Sequence, residues 1–436
     1  MANAPVLNYP AWLPEILDVV PQLLGVSINW SDYSVLLTIG WAVLAFTLIA
    51  IVAKASVVFM VLMERKVLAW LTQRVGPNRV GPWGLLQTLA DGIKLLFKED
   101  IMSKGSDKFL FTLGPAVFFT PTFIFFALLP FTDSMLAVAL PAGALFVFAI
   151  SSISVVGMVL SGWGSNNKYS LLGGMRSAAQ AISYEVPLVL AVLAVVLFTG
   201  TMNIADIVRG QTGPFWNWYG FVLTPISFFI FFISALAEVN RIPFDLPEAE
   251  SELVSGYNTE YTGMKFALFF LAEYAALFAM SGFITAFFAG GYFSPTGNYL
   301  IEYLTKTPYQ DLTGIFQLVV QVEMLFWFLA KTYFFIFLAM WIRATLPRLK
   351  PDQLMGFSWK FLIPLSLVNI FVIALGKFFI APGGIENIGD QAILSSPGVW
   401  ITWAMWVGFA VGVYGLFFWF SSNSLNQKLE MRLVRR

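Results

Sequence analysis

"MKFALFFLAEYAALFAMSGFITAFFA", residues 264–289, is an apolar run long enough to cross a bilayer, and a single carboxylate, Glu273, stands inside it. About 20 consecutive apolar residues match a hydrocarbon core of about 30 Å, so the run reads as a transmembrane helix. Similar windows at about 35–62, 109–131, 136–160, 178–198, 219–237, 318–342, 357–380 and 400–420 bring the candidate spans to nine. The expected fold is all-α, a polytopic integral membrane protein. Composition agrees: of 436 residues, 58% are hydrophobic and only 11% are charged.

If the N-terminus lies outside, most Lys and Arg fall on the inner side. Only Arg209, Lys306 and Lys377 are left outside, with Lys54 and Lys331 within spans. This asymmetry fixes the orientation, with an outer N-terminal segment (1–34) and the C-terminus in the cytoplasm. Residues 1–34 lack a basic n-region before a short apolar core, so the first span is expected to serve as the insertion signal and the mature chain to be the whole chain. That span should tilt or project, ending at "VLMERKVLAW" (61–70). Then "WGLLQTLADGIKLLFK" (83–98) sets Leu85, Leu89, Ile93 and Leu96 against Gln87, Asp91, Lys94 and Lys98, the pattern of an interfacial helix on the inner surface. Three inner loops, 63–108, 161–177 and 238–263, hold most of the polar chemistry.

The chain has no Cys and no His, which removes the usual ligands of haem, iron–sulfur clusters and most zinc or copper sites. No metal site is expected, and any electron carriers belong to other chains. No catalytic triad, nucleotide-binding glycine loop or basic nucleic-acid patch is visible, so no nucleic-acid partner is expected. "GGMRSAAQ" (173–180) lacks dinucleotide-site spacing and reads as a turn before a helix.

Acidic residues are concentrated instead. "RIPFDLPEAESELVSGYNTEYTGMKF" (241–266) holds Asp245, Glu248, Glu250, Glu252 and Glu260, a fifth of the chain's 25 acids. "DLPE" fits a capping box, with Asp245 at a helix start and Glu248 reaching back. Glu250 and Glu252 remain, and their repulsion calls for water, cations or protonation. Glu185, Glu273 and Glu323 lie inside spans, where an ionised acid costs about 2.5 to 3.5 kcal/mol and is expected to be neutral, paired or beside a water-filled cavity. Lys331 is the basic counterpart of Glu323 on the same span, about 12 Å along the helix. Three intramembrane acids and an acidic inner loop favour a proton pathway.

Four segments, "ERKVLAWLTQRVGPNRVGPWGLLQTLADGIKLLFKE" (64–99), "GWGSNNKYSLLGGMRSAAQAISYEVP" (162–187), "EVNRIPFDLPEAESELVSGYNTEYTGMKFALFFLAEY" (238–274) and "LAKTYFFIFLAMWIRATLPRLKPDQLM" (329–355), closely resemble the H subunit family of proton-pumping NADH:quinone oxidoreductase, respiratory complex I, counterpart of mitochondrial NADH dehydrogenase subunit 1. The resemblance covers roughly residues 35–376, a membrane core like that of the family, and leaves 377–436 as an extension with a ninth span where relatives commonly end after eight.

The resemblance implies a component at the junction of membrane and peripheral arms, walling the quinone cavity with Arg65, Arg241 and Asp245. It implies a proton path through Glu64, Asp91, Glu185, Glu238, Glu248, Glu250, Glu252 and Glu273. Quinone would be the substrate, with FMN, NADH and iron–sulfur clusters in partner subunits and no cofactor held by this chain alone. The implied partners are peripheral-arm quinone-site subunits, neighbouring membrane-arm subunits and membrane lipid, in a bacterial cell inner membrane. The outer segment 290–317 looks long, and Ser251 and Asn258 stand where relatives often carry other polar side chains. Two alternatives remain open: the equivalent component of a ferredoxin- or hydrogenase-linked complex, and a stand-alone ion-coupled transporter, although no internal repeat is evident.

Overall fold

The computed structural model describes residues 34–136, 140–222, 225–247, 250–300, 315–380 and Gly408, and every regular element among them is helical. In chain order the main helices are α1 Ser34–Leu71, α2 Gln87–Phe97, α3 Lys108–Leu128, α4 Gly143–Gly164, α5 Lys168–Thr199, α6 Ile204–Arg209, α7 Pro225–Glu238, α8 Gly263–Phe288, α9 Ile315–Thr345, α10 Pro351–Phe357 and α11 Ile363–Ile380. Among the described residues, six stretches are long and apolar enough to cross a membrane: α3, α4, α5, α8, most of α9, and the run Pro351–Lys377. The expected ninth span, 400–420, lies outside the described residues apart from Gly408.

Helix α8, which carries the opening stretch, is central. Every residue from Leu277 to Phe288 is buried, and α1, α3, α7 and α9 pack around it. Neighbouring helices are drawn together by small residues, since lipid gives apolar side chains no reason to leave it and close backbone approach must supply the contact. At the α3–α4 crossing, a Cβ at Gly157 would stand 2.5 Å from the Phe118 nitrogen and one at Gly114 would stand 2.2 Å from Ser161 Oγ.

Several expected boundaries move. Helix α1 runs past the expected stop near 62 to Leu71, with "VLMERKVLAW" (61–70) forming its last turns, as expected of that end. Helix α4 starts at Gly143 instead of near 136. Helix α5 begins at Lys168, capped by Asn167 accepting from the Tyr169 N–H, so "GGMRSAAQ" is helical and forms no turn. Its glycines serve packing: a Cβ at Gly173 would fall 2.7 Å from the Gly256 Cα in the third inner loop. The expected span 219–237 is divided into Tyr219–Val222 and α7, whose 14 residues rise only about 21 Å. Helix α2 carries Leu89, Ile93, Leu96 and Phe97 exposed, as an interfacial helix requires.

Helix α5 passes through Pro187, which has no N–H to give the Ser183 carbonyl four residues earlier. Ser358 supplies the missing donor: its Oγ lies 2.5 Å from that carbonyl, and Trp359 Nε1 donates to Ser183 Oγ at 3.1 Å. Both donors sit in the single π-helical turn, Ser358–Leu362, that joins α10 to α11. The proline defect in one span and the π-turn in another thus satisfy each other.

The crossing of α3 and α4 makes a direct test. Gly157→Val forces the backbones apart and should destabilise by at least about 1–3 kcal/mol, while Gly92→Ala, where a Cβ meets nothing within 4 Å, should not. Thermal unfolding of the membrane-extracted protein reads the difference; equal midpoints would contradict the packing.

Candidate functional site

The site is built where the C-terminal ends of α1, α7 and α9 meet the middle of α8. Glu64 on α1 is 3% exposed and is held between two guanidinium groups. Arg241 Nη1 donates at 2.9 Å to Oε2, and Arg343 on α9 pairs with Oε1. Buried charge is tolerated only when paired and hydrogen-bonded, and here one carboxylate serves two cations from distant parts of the chain. Arg241 also lies over the Tyr274 ring, 4.3 Å from its centroid, while its Nε and Nη2 find no hydrogen-bond partner among the described residues. Asp245 receives Arg348 Nη2 at 2.7 Å, and the Leu349 N–H donates to the Pro243 carbonyl, so the α9–α10 connection clasps the third inner loop.

That loop is set by Gln180 on α5. Its buried Nε2 lies 2.7 Å from the Ala237 carbonyl and 2.6 Å from that of Phe244, bracketing the segment that holds Glu238, Asn240 and Arg241. Asn240 adopts a left-handed φ of 52°, which turns the chain sharply after α7.

Next to this turn a small chamber of about 30 Å³ sets Thr122, Ser151, Ser154, Glu238, Asn240 and Glu273 among apolar residues such as Phe118, Phe125 and Met280. That is room for one or two waters among polar groups. Glu238 Oε2 is buried without a hydrogen-bond partner among the described residues, whereas Glu273 accepts from Tyr257 Oη at 3.1 Å. Glu185, on the α5 side, accepts from Ser152 Oγ at 2.6 Å and lies near enough to Glu238 to interact with it electrostatically.

The remaining expected residues lie elsewhere. Arg65 follows Glu64 but faces away, toward α2, where Nη1 meets Asp91 Oδ2 at 2.5 Å. Burial pushes the Asp91 carboxyl up, but the hydrogen bond and charge of Arg65, with help from Gln87 and Lys94, hold it below its ordinary value. Glu252 forms an exposed pair with Arg176 at 2.6 Å. Glu248 and the Glu250 side chain lie outside the described residues.

A model of the NADH dehydrogenase family matches residues 43–374. The chain is 48% identical over 335 residues to the H subunit of NADH-quinone oxidoreductase from Brevibacillus brevis, covering 77% of this chain and 93% of that one. It is 45% identical over 327 residues to the same protein of Dehalococcoides mccartyi (75% and 84%). Against that of Geobacillus thermodenitrificans it is 45% identical over 350 residues (80% and 96%). The chain belongs to the family of NADH-quinone oxidoreductase H subunits.

In this member of the family, two expectations from the residues need correction. Asp245 does not begin the loop's described helix, which starts at Glu250; its carboxylate faces Arg348, a charged donor worth more than a backbone cap. Lys331 and Glu323 do not pair. Glu323 accepts from the Leu300 N–H and Trp327 Nε1, and Lys331 Nζ donates to the carbonyls of Ala289 and Phe293. Residues that sequence reasoning missed are Gln180, Tyr257, Arg343 and Arg348. The two arginines were legible only as inner cations; their signal is an Arg at the end of an apolar span when a buried acid elsewhere needs a partner.

Removing Glu64 leaves two guanidinium groups facing one another. Glu64→Ala should cost about 3–5 kcal/mol, the range for breaking a buried ion pair, whereas Glu252→Ala should cost no more than about 1. Comparable losses of complex assembly and thermal stability in the two variants would contradict this placement.

Proposed function

We propose that this chain walls the quinone cavity of a proton-translocating NADH:quinone oxidoreductase and couples quinone reduction to proton translocation through buried carboxyls. The observation that carries this reading is the single turn 238–241, which joins two charge systems. At one end Arg241 engages Glu64; at the other Glu238 enters the polar chamber with Glu273. A charge change beside Arg241 therefore reaches Glu238 within three residues. Arg65, Asp91 and Asp245 complete the inner charged rim, and Glu252 faces Arg176 beside it; Glu248 and Glu250 belong to the proposed path through the resemblance alone.

Reducing a quinone takes two electrons and two protons. With neither Cys nor His, this chain has no ligands for an iron–sulfur cluster or haem, so the electrons arrive from a cluster in a partner subunit, and the family resemblance assigns FMN and the NADH site to partners as well. What the chain's own residues do is electrostatic. Negative charge on a partly reduced quinone draws on Arg241, weakens its hold on Glu64, and raises the proton affinity of the carboxyls behind it. Glu238 interacts electrostatically with Glu185 and shares the chamber with Glu273, so a charge change at one acts on its neighbour. Water in the chamber would connect Glu238 to Glu273. The complex would sit in a bacterial inner membrane with the loops 63–108, 161–177 and 238–263 facing the cytoplasm and the peripheral arm.

The experiment replaces Glu185 or Glu273 with Gln in the assembled complex, reconstituted in liposomes. Both substitutions keep size and hydrogen bonding but remove titration. The expected result is slower quinone reduction or fewer protons moved per NADH oxidised, in a complex whose reduction of an artificial acceptor by the upstream cofactors is intact. Unaltered NADH oxidation and proton movement in both variants would remove the proton-path assignment.

A further inference from the structure

A large apolar cavity lies away from the clustered carboxyls Glu185, Glu238 and Glu273. It measures about 610 Å³, opens between the outer parts of α7, α8 and α9, and is lined mainly by aromatic and aliphatic side chains, among them Phe228, Phe288, Phe334 and Phe335. Two nitrogen donors share its wall, Lys331 and Trp218. Lys331 is 9% exposed, and none of the ion pairs formed among the described residues includes it. Its ammonium donates to Ala289 O at 2.8 Å and Phe293 O at 2.9 Å and lies 4.4 Å from the centre of the Trp218 ring. Ala289 is the residue that ends α8.

These contacts leave the charge partly uncompensated. A helix C-terminus offers roughly half an elementary negative charge, and an aromatic face adds a weaker attraction. Burial disfavours a lone charge here, so holding the Lys331 amine as a cation calls for an anion beside it. The second donor is also unsatisfied: Trp218 is 5% exposed, and its Nε1–H has no hydrogen-bond acceptor among the described residues. The nearest acid on the same helix, Glu323, is engaged by the Leu300 N–H and Trp327. An apolar cavity of several hundred Å³, with an unneutralised cation and an unpaired N–H at one wall, is complementary to an amphiphile that joins a hydrocarbon chain to an anionic head.

We propose that this cavity holds one anionic phospholipid, with an acyl chain among the phenylalanines and its phosphate facing Lys331 and Trp218. Lys331 stands twelve residues from Arg343, about 18 Å along the helix, so this lipid is separate from the inner charged rim. The site helps fix the outer loop that follows α8, because the same ammonium grips the carbonyls of Ala289 and Phe293. It stands independently of the quinone and proton-path reading.

The test uses the assembled complex, delipidated in detergent and titrated with phosphatidylglycerol or, separately, phosphatidylcholine, with bound lipid identified by mass spectrometry. Lys331→Gln should bind phosphatidylglycerol about tenfold more weakly, the loss of roughly one charge-assisted hydrogen bond, with phosphatidylcholine little changed. Lys331→Arg should keep the preference. Ala330→Trp, which fills the cavity and leaves both donors in place, should lose the lipid although the charge remains. Any complex that assembles can be scored, and Lys331→Arg guards against a mere folding defect. The proposal is overturned if all three variants keep the wild-type content of anionic lipid. It is equally overturned if both lipids fall together in Lys331→Gln, or if protein from a neighbouring chain or from residues 400–420 fills the cavity in a structure of the complex.

Discussion

A carboxylate cannot be left alone in the interior of a membrane protein, and Glu64 is the position where this rule organises the most chain. Its two arginine partners come from the turn after α7 and from the inner end of α9, so three segments far apart in sequence are tied to one side chain. Each partner then carries further structure. Arg241 rests on the Tyr274 ring of the central helix α8, and Arg348, just past the end of α9 that carries Arg343, clasps Asp245. The desolvation cost of such a cluster exceeds what packing of apolar residues would require, so its retention has a functional explanation more readily than a stabilising one.

The second constraint is that every backbone donor and acceptor within a bilayer must find a partner in the protein. The carbonyl freed at Ser183 by Pro187 is met by Ser358, and the carbonyls past the end of α8 are met by Lys331. These are not ornaments on a helical bundle. They decide where helices bend, where one inner loop is held against α5 through Gln180, and hence where Glu185, Glu238 and Glu273 stand relative to one another. The glycines at α3, α4 and α5 act in the same direction by letting backbones approach to contact distance.

How much of this was legible in the sequence follows from the range of each interaction. Apolar periodicity is local, so the spans were readable, including α8 almost to the residue. Where local signals compete, they mislead: "GGMRSAAQ" carries the glycines of a turn, yet Asn167 caps a helix before it and the glycines are needed for close packing. Glu64 and Arg65 are adjacent but face opposite ways, so the cavity assignment by resemblance groups residues that the structure divides between the α1–α9 cluster and the surface helix α2. Pairings across a hundred residues or more, such as Arg343 with Glu64 or Arg348 with Asp245, leave no trace in one sequence. Spacing on a single helix suggested Lys331 for Glu323 because no long-range partner was visible; backbone carbonyls won.

Infrared difference spectroscopy of the assembled complex, comparing oxidised with reduced quinone, addresses the central claim that Glu238 and Glu273 change protonation with the quinone. The expected result is a carboxyl C=O stretching band in the difference spectrum that shifts in D₂O and is lost or displaced in both Glu238→Gln and Glu273→Gln. A difference spectrum in the carboxyl region identical in wild type and both variants, with quinone reduction proceeding normally, would contradict it.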